Sequence, residues 1–258
     1  MADLQLRELF VMPVRLFARA PALAVALFSL SGPVGRASVG SSSVSASSSG
    51  SMSAQSGGWK SLLNASSAPW RGYKATGRPT GLPAGWTIKD GILSKEKPVE
   101  DIISNEQFGD FELEIEWKIS SGGNSGIFYR GTEAESHVYW TAPEYQLLDD
   151  EKGADNKTRL TCAGAAYALY PSPAGHLKPA GEWNTTRIIA KGPHVEHWLN
   201  GFKLLEYELW SADWESKVKG SKFAQWPRYG RSRSGHLALQ GDHEGALAFR
   251  NIRVREIK

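Results

Sequence analysis

The chain has 258 residues, a net charge of +3 and a single cysteine. The charge is too modest to mark a nucleic-acid-binding protein, and no nucleic-acid motif accompanies the one local basic loop, Arg228, Arg231 and Arg233. One thiol excludes an internal disulfide framework, and Cys162 reads as a small buried apolar residue rather than a nucleophile.

Taken in chain order, Arg15 and Arg19 precede an apolar run over 20–30. That run is too short to span a bilayer comfortably and matches the apolar part of an export signal. Small residues at Ser31, Gly32, Ala37 and Ser38 follow as cleavage candidates. Residues 1–38 are therefore read as an export segment, with a single N-terminal membrane anchor as the lesser alternative. The processed protein is expected in the periplasm or outside the cell, without stable membrane insertion. Residues 39–57 are almost all Ser, Gly, Ala and Val. They offer too little apolar surface to offset ordering entropy and read as a flexible linker. Residues 58–258, roughly two hundred, suffice for one sizeable core.

Within that body the strongest strand is 111–119, where Phe, Leu, Ile, Trp and Ile alternate without a miss with Glu, Glu, Glu and Lys. Before it, 86–89 and 91–93 flank Asp90-Gly91, a hairpin signal. Strands are also expected over 126–130, 143–150, 185–190, 195–199, 202–207, 236–240 and 246–257. Asn200-Gly201 should be a two-residue turn. Only 210–219 has a helical look, with Ser211 and Asp213 as capping candidates. Closely spaced strands separated by Gly, Pro and Asn indicate an all-β fold, an antiparallel two-sheet sandwich. Of the ten Trp, Trp86 and Trp117 sit in core register. Trp140 and Trp183 lie at loop edges and are the better candidates for stacking on a sugar ring.

The segment 143–150, Pro-Glu-Tyr-Gln-Leu-Leu-Asp-Asp, is polar where a core strand would be apolar. Alternation places Glu144, Gln146 and Leu148 on one face, and Tyr145, Leu147 and Asp149 on the other. A carboxyl and an amide side by side suit a concave sheet that holds a polar ligand. The glycine-rich approach 122–126 lacks the following helix and Lys of a phosphate loop, so nucleotide binding is rejected. It presents Asn124, and Arg130 ends the strand beyond it. On 236–240, His236, Ala238 and Gln240 share a face, and the loop after it carries Asp242 and His243. A His beside an Asp can be oriented for proton transfer. His197 alternates with Val195 and Leu199 and reads as a satisfied core His. Neither zinc spacing nor a clear calcium loop occurs, so no metal ligands and no cofactor are assigned.

Six runs, Gly-Gly-Asn-Ser-Gly-Ile-Phe-Tyr-Arg (122–130), Pro-Glu-Tyr-Gln-Leu-Leu-Asp-Asp (143–150), Gly-Glu-Trp-Asn (181–184), His-Trp-Leu-Asn-Gly (197–201), Gly-His-Leu-Ala-Leu-Gln (235–240) and Phe-Arg-Asn-Ile-Arg (249–253), jointly resemble the 3-keto-disaccharide hydrolase domain family. They keep their order from Trp59 to Lys258. The resemblance implies a concanavalin A-like jelly roll and a substrate already oxidised to a ketone at carbon 3. The ketone acidifies the proton on carbon 2. A base removes it, the enolate is stabilised, the aglycone leaves carbon 1, and water adds to the enone. The paired carboxylates of an ordinary glycosidase are not needed. A divalent cation could stabilise the enolate in place of side-chain donors.

Carried onto this chain, the resemblance makes Glu144 and His243 the acid/base candidates, with Asp242 orienting His243. Asn124, Arg130, Gln146 and Gln240 would bind sugar hydroxyls or the enolate oxygen, with Trp140 as an aromatic contact. Asp149 joins them only if its strand bends or ends near Leu148. The chain departs from the family pattern at Ala166-Tyr167-Ala168, where Leu-Tyr-Asp is expected, and at Glu244 beside His243. Two other readings compete: a non-catalytic carbohydrate-binding module of the same fold, and a laminarinase-type glycosidase using Glu112, Glu114 and Glu116. Fold alone does not separate these.

Overall fold

The computed structural model describes residues 58–65, 68–73 and 81–258. The expected export segment and linker lie outside them. Thirteen strands are β1 (Lys60–Ser61), β2 (Trp70–Gly72), β3 (Thr87–Lys89), β4 (Ile92–Lys95), β5 (Ile102–Phe108), β6 (Phe111–Ile119), β7 (Asn124–Gly131), β8 (Glu144–Leu148), β9 (Asn184–Lys191), β10 (His194–Leu199), β11 (Phe202–Glu208), β12 (Gly235–Leu239) and β13 (Leu247–Glu256). One helix, α1 (Ala212–Lys219), and two 3-10 turns, Val138–Trp140 and Lys222–Gln225, complete the described elements. No helix among the described residues is long and apolar enough to cross a membrane.

The strands form the expected antiparallel two-sheet sandwich. One sheet runs β11-β10-β9-β6-β13-β4-β3, with β1 also paired to β13, and the other runs β2-β5-β12-β7-β8. The β6 alternation is the organising feature. Phe111, Leu113, Ile115 and Trp117 face the other sheet with at most 1% exposure, against Ile127, Tyr129, Tyr145, Leu147, Leu237 and Leu239. Asn200 and Gly201 both take positive φ, the backbone that a two-residue β10–β11 hairpin requires. Ser211 caps α1 by accepting from the Trp214 amide, and the buried Trp214 fixes the helix to the sandwich.

The outer face of β6 is an ion-pair lattice. Glu112 pairs with Arg187 and Arg255, Glu114 with Arg253, and Glu116 with Arg250. Glu112 is itself buried beneath its two guanidiniums. Trp183 lies here, over Lys118 and Arg250. These three carboxylates are committed to arginines on the sheet remote from the cavity described below, which removes the laminarinase-type reading. His197 and Cys162 are buried as expected. His197 contacts the Tyr129 hydroxyl and Gly164 O, each at 3.0 Å, and burial lowers its pKa to about 4, so the ring is neutral.

Candidate active site

The five-stranded sheet has one face in the core and one face turned outward. Because side chains alternate, the residues between the core positions of β7, β8 and β12 all reach that outward face. Phe128 and Ala238 pack there with Ile103, Val138 and Ala142 in a small second cluster. Beside this cluster is a cavity of about 290 Å³. Its floor is Asn124 from β7, Glu144 and Gln146 from β8, and Gln240 just past β12. Loops and turns supply the walls: Tyr139, Asp155, Tyr167, Lys222, Trp226, Asp242 and His243.

Glu144 is the most perturbed group of this cavity. Its side chain is 7% exposed, and burial pushes its carboxyl up to about 8. The Lys222 ammonium pulls the other way, while Asp101, Asp242 and Asp155 add to the rise. Space for the carboxyl comes from Gly126 on the neighbouring strand. A Cβ on Gly126 would stand 2.8 Å from Glu144 Cδ and 2.9 Å from Cγ, and nearer still to Oε1.

The amide beside Glu144 suits both of its protonation states. A protonated carboxyl can donate to the Gln146 amide oxygen; Gln146 Nε2 then donates to Asn124 Oδ1 at 3.0 Å, and Asn124 Nδ2 to Asp155 Oδ2 at 3.2 Å. With the amide turned over, Gln146 instead donates to Glu144 Oε1 at 2.9 Å and to Ser125 O at 3.3 Å, as an ionised carboxylate requires. Tyr167 OH donates to the same Asp155 oxygen at 3.2 Å. Gln240 Oε1 is buried without a protein partner, leaving an acceptor available to a substrate hydroxyl.

The loop bearing Asp242 and His243 is anchored from beneath. Lys95, 2% exposed, donates from Nζ to His243 O at 2.7 Å and to Gly245 O at 3.0 Å. Asp101 accepts from Gly241 N at 2.8 Å, and burial raises its carboxyl to about 7. Glu244 is exposed between the two carbonyls that Lys95 holds. Asp242 stands beside His243 at ion-pair distance, Oδ1 to Nε2 3.7 Å, without a direct hydrogen bond between them.

The structure thus gathers Glu144, Gln146, Asn124, Gln240, Asp242 and His243, and leaves three candidates outside. Arg130 is 2% exposed and bound elsewhere: Nε donates to Gly109 O at 3.0 Å, Nη1 to Gly192 O at 2.7 Å, and Nη2 to Asp110 Oδ1 at 3.2 Å. Arg130→Lys is expected to lower stability by about 2 kcal/mol, because an ammonium cannot meet that fork. Its KM should match wild type, which urea unfolding and steady-state kinetics together check. Asp149 faces away, where β8 ends, and accepts from Gly122 N at 2.8 Å and Glu151 N at 3.1 Å. Trp140 stacks behind Trp226, with centroids 5.5 Å apart, one layer back from the cavity. Trp226 and Tyr139 are the aromatic wall instead. The departure at Ala168 removes no cavity group, since Tyr167 is the lining residue and Asp155 supplies its acidic partner.

Comparison with known proteins places the family and the fold. A family model described as the 3-keto-alpha-glucoside-1,2-lyase-like domain matches residues 58–255. A curated Bacteroides thetaiotaomicron protein named 3-keto-disaccharide hydrolase is 35% identical over 218 residues, covering 72% of this chain and 73% of that protein. A crystal structure from Parabacteroides distasonis, of a protein provisionally named a glycosyl hydrolase, is 31% identical with a TM-score of 0.70, covering 78% of this chain and 95% of the other. A second from that organism, with the same provisional name, is 25% identical with a TM-score of 0.55, covering 73% and 99%.

Proposed function

Because this chain belongs to the 3-keto-alpha-glucoside-1,2-lyase-like domain family, we propose that it cleaves 3-keto-glycosides at the Glu144 cavity by elimination followed by hydration. The observation that carries this reading is Glu144. It is a carboxyl of raised basicity, buried on the floor of a cavity otherwise lined with hydrogen-bonding groups of the kind that bind sugars.

The ionised Glu144 takes the proton from carbon 2, and the C–H electrons pass into an enolate on the carbon 3 oxygen. The enolate collapses to an enone, the C1–O bond breaks, and its electrons leave on the aglycone oxygen. That oxygen receives a proton from His243. Water then adds: hydroxide to carbon 1, a proton from Glu144, exchanged with solvent while the enone is bound, to carbon 2, and the remaining water proton to His243. The sum is aglycone alcohol plus free 3-keto sugar. Asn124, Gln146 and Gln240 bind the ring hydroxyls, and Tyr139 and Trp226 cover its apolar face. A carboxylate of ordinary basicity would be poorly matched to a C–H proton, whereas a base near the working pH is well matched. The export-type sequence at the N-terminus supports action on glycosides outside the cytoplasm.

A pure binding module of this fold would use aromatic rings and hydrogen bonds without a buried carboxyl of raised basicity among them. The deciding experiment incubates the protein with 3-keto-glucosides and with the unoxidised glucosides. Aglycone release is expected from the keto forms only, and binding of both without release from either would overturn the enzyme reading. The sign of the pH dependence follows from the Glu144 role. The base must be ionised in the free enzyme, so the limb of kcat/KM that Glu144 governs should rise with pH up to about 8. A profile without that rise would remove Glu144 as the base.

A further inference from the structure

The proposed reaction builds negative charge on the carbon 3 oxygen, yet the cavity is already acidic. Glu144, Asp155 and Asp242 line it, and Asp101 lies close enough to raise Glu144 further. An enolate formed there needs a positive charge or strong donors in place before the proton moves. Among the residues lining the cavity, Lys222 is the one Lys or Arg. It sits on the 3-10 turn Lys222–Gln225, whose start Ser221 caps by accepting from Phe223 N at 3.1 Å. Phe223 anchors the turn: it is 1% exposed and stacks on Tyr229 with centroids 3.9 Å apart. The Lys222 ammonium lies 4.3 Å from the centre of the Tyr167 ring, and no carboxylate among the described residues is within ion-pair distance of it.

A surface lysine ordinarily serves solubility. This one is held on an anchored turn, over an aromatic face and beside the reacting carboxyl, with no counter-ion among the described residues. Those features suit a charge reserved for a ligand. We infer that Lys222 is a catalytic residue, whose ammonium donates a hydrogen bond to the carbon 3 oxygen of the keto sugar and holds the enolate charge formed there. The inference rests on the elimination reading. Lys222 keeps its proton throughout, and the C–H electrons return from the enolate oxygen when the C1–O bond breaks, so no further reactant is needed. The same charge favours a ketone that becomes an enolate over an unoxidised hydroxyl at carbon 3, which makes Lys222 a determinant of substrate oxidation state as well.

The test uses the 4-nitrophenyl 3-keto-glucosides, both anomers, in deuterated buffer. Two signals are followed: nitrophenol release above the uncatalysed rate, and deuterium incorporation at carbon 2. Wild type, Lys222→Met and Lys222→Arg are compared, with folding checked by thermal unfolding. Lys222→Met keeps the apolar stem on Tyr167 and should lose at least about 100-fold in kcat for both signals, with KM changed less than about threefold. Lys222→Arg should recover at least about tenfold of that loss. A Lys222→Met rate within about threefold of wild type overturns the inference while leaving the elimination reading intact. So does a wild-type rate abolished by chelator and restored by a divalent cation when Lys222→Met retains full activity. Absence of both signals in wild type would instead sink the elimination reading itself.

Discussion

Glu144→Gln should reduce kcat by about a thousandfold or more while making the protein more stable in alkaline buffer. The first effect follows from its role, because Gln retains the shape and hydrogen bonds of the neutral acid but takes no proton from carbon 2. The second follows from burial. The folded-state pKa of Glu144, about 8, stands above its ordinary 4.5. Between those values the native state holds a proton that the unfolded state has released. Wild-type stability therefore falls as pH rises from about 4.5 to about 8, by an amount whose upper bound is on the order of 5 kcal/mol. Gln does not titrate and escapes that fall. Urea midpoints for the two proteins should nearly coincide at pH 5 and separate by pH 9, with the variant the more stable. An unchanged kcat, or a variant less stable at pH 9, would remove Glu144 from the proposed role. A residue that destabilises the fold where it is ionised is retained for chemistry, not architecture.

The floor of this site is legible in the sequence and most of its walls are not, for a physical reason. Glu144 and Gln146 stand out because strand alternation has period two, and their apolar neighbours Tyr145 and Leu147 report the buried face. The same rule separates Asp149 from them. Lys222, Asp155, Tyr139 and Trp226 come from loops and 3-10 turns, where no periodicity ties a residue to a direction. Arg130 misleads because it ends a motif-bearing strand. Its φ of +54° marks a local break, and its guanidinium runs to Gly109 and Gly192. Strand β5 is likewise silent: Ile102, Ile103 and Ser104 are buried in succession and the next three residues are exposed, a pattern that alternation does not describe. The Asp242–His243 loop is legible by composition. What fixes it, Lys95 and Asp101, lies about 140 to 150 residues away in sequence and becomes visible only when the two sheets meet.

Gly126→Ala should fold normally and lose about 100-fold in kcat/KM, although Gly126 makes no side-chain contact of its own. Its backbone is not in the left-handed region, so the substitution carries no φ penalty; a glycine is required there for space. The added methyl would occupy the place of the Glu144 carboxyl, approaching Cδ to 2.8 Å and Cγ to 2.9 Å. Atoms that close must separate, and the flexible end of the glutamate moves more readily than two paired strands. The carboxyl is displaced toward the open cavity, away from the amide of Gln146. Misplacing a reacting group by about an ångström can cost about a hundredfold in rate. The displaced carboxyl also regains water, so its pKa falls from about 8 toward the ordinary carboxyl range. The acid limb of the kcat/KM profile should therefore move to lower pH as the maximum rate drops. A variant that was merely destabilised would lose active protein without moving that limb. Measuring the profile and the urea midpoint together separates the two, and a Gly126→Ala enzyme with wild-type rate and an unmoved limb would show that Gly126 does not position Glu144.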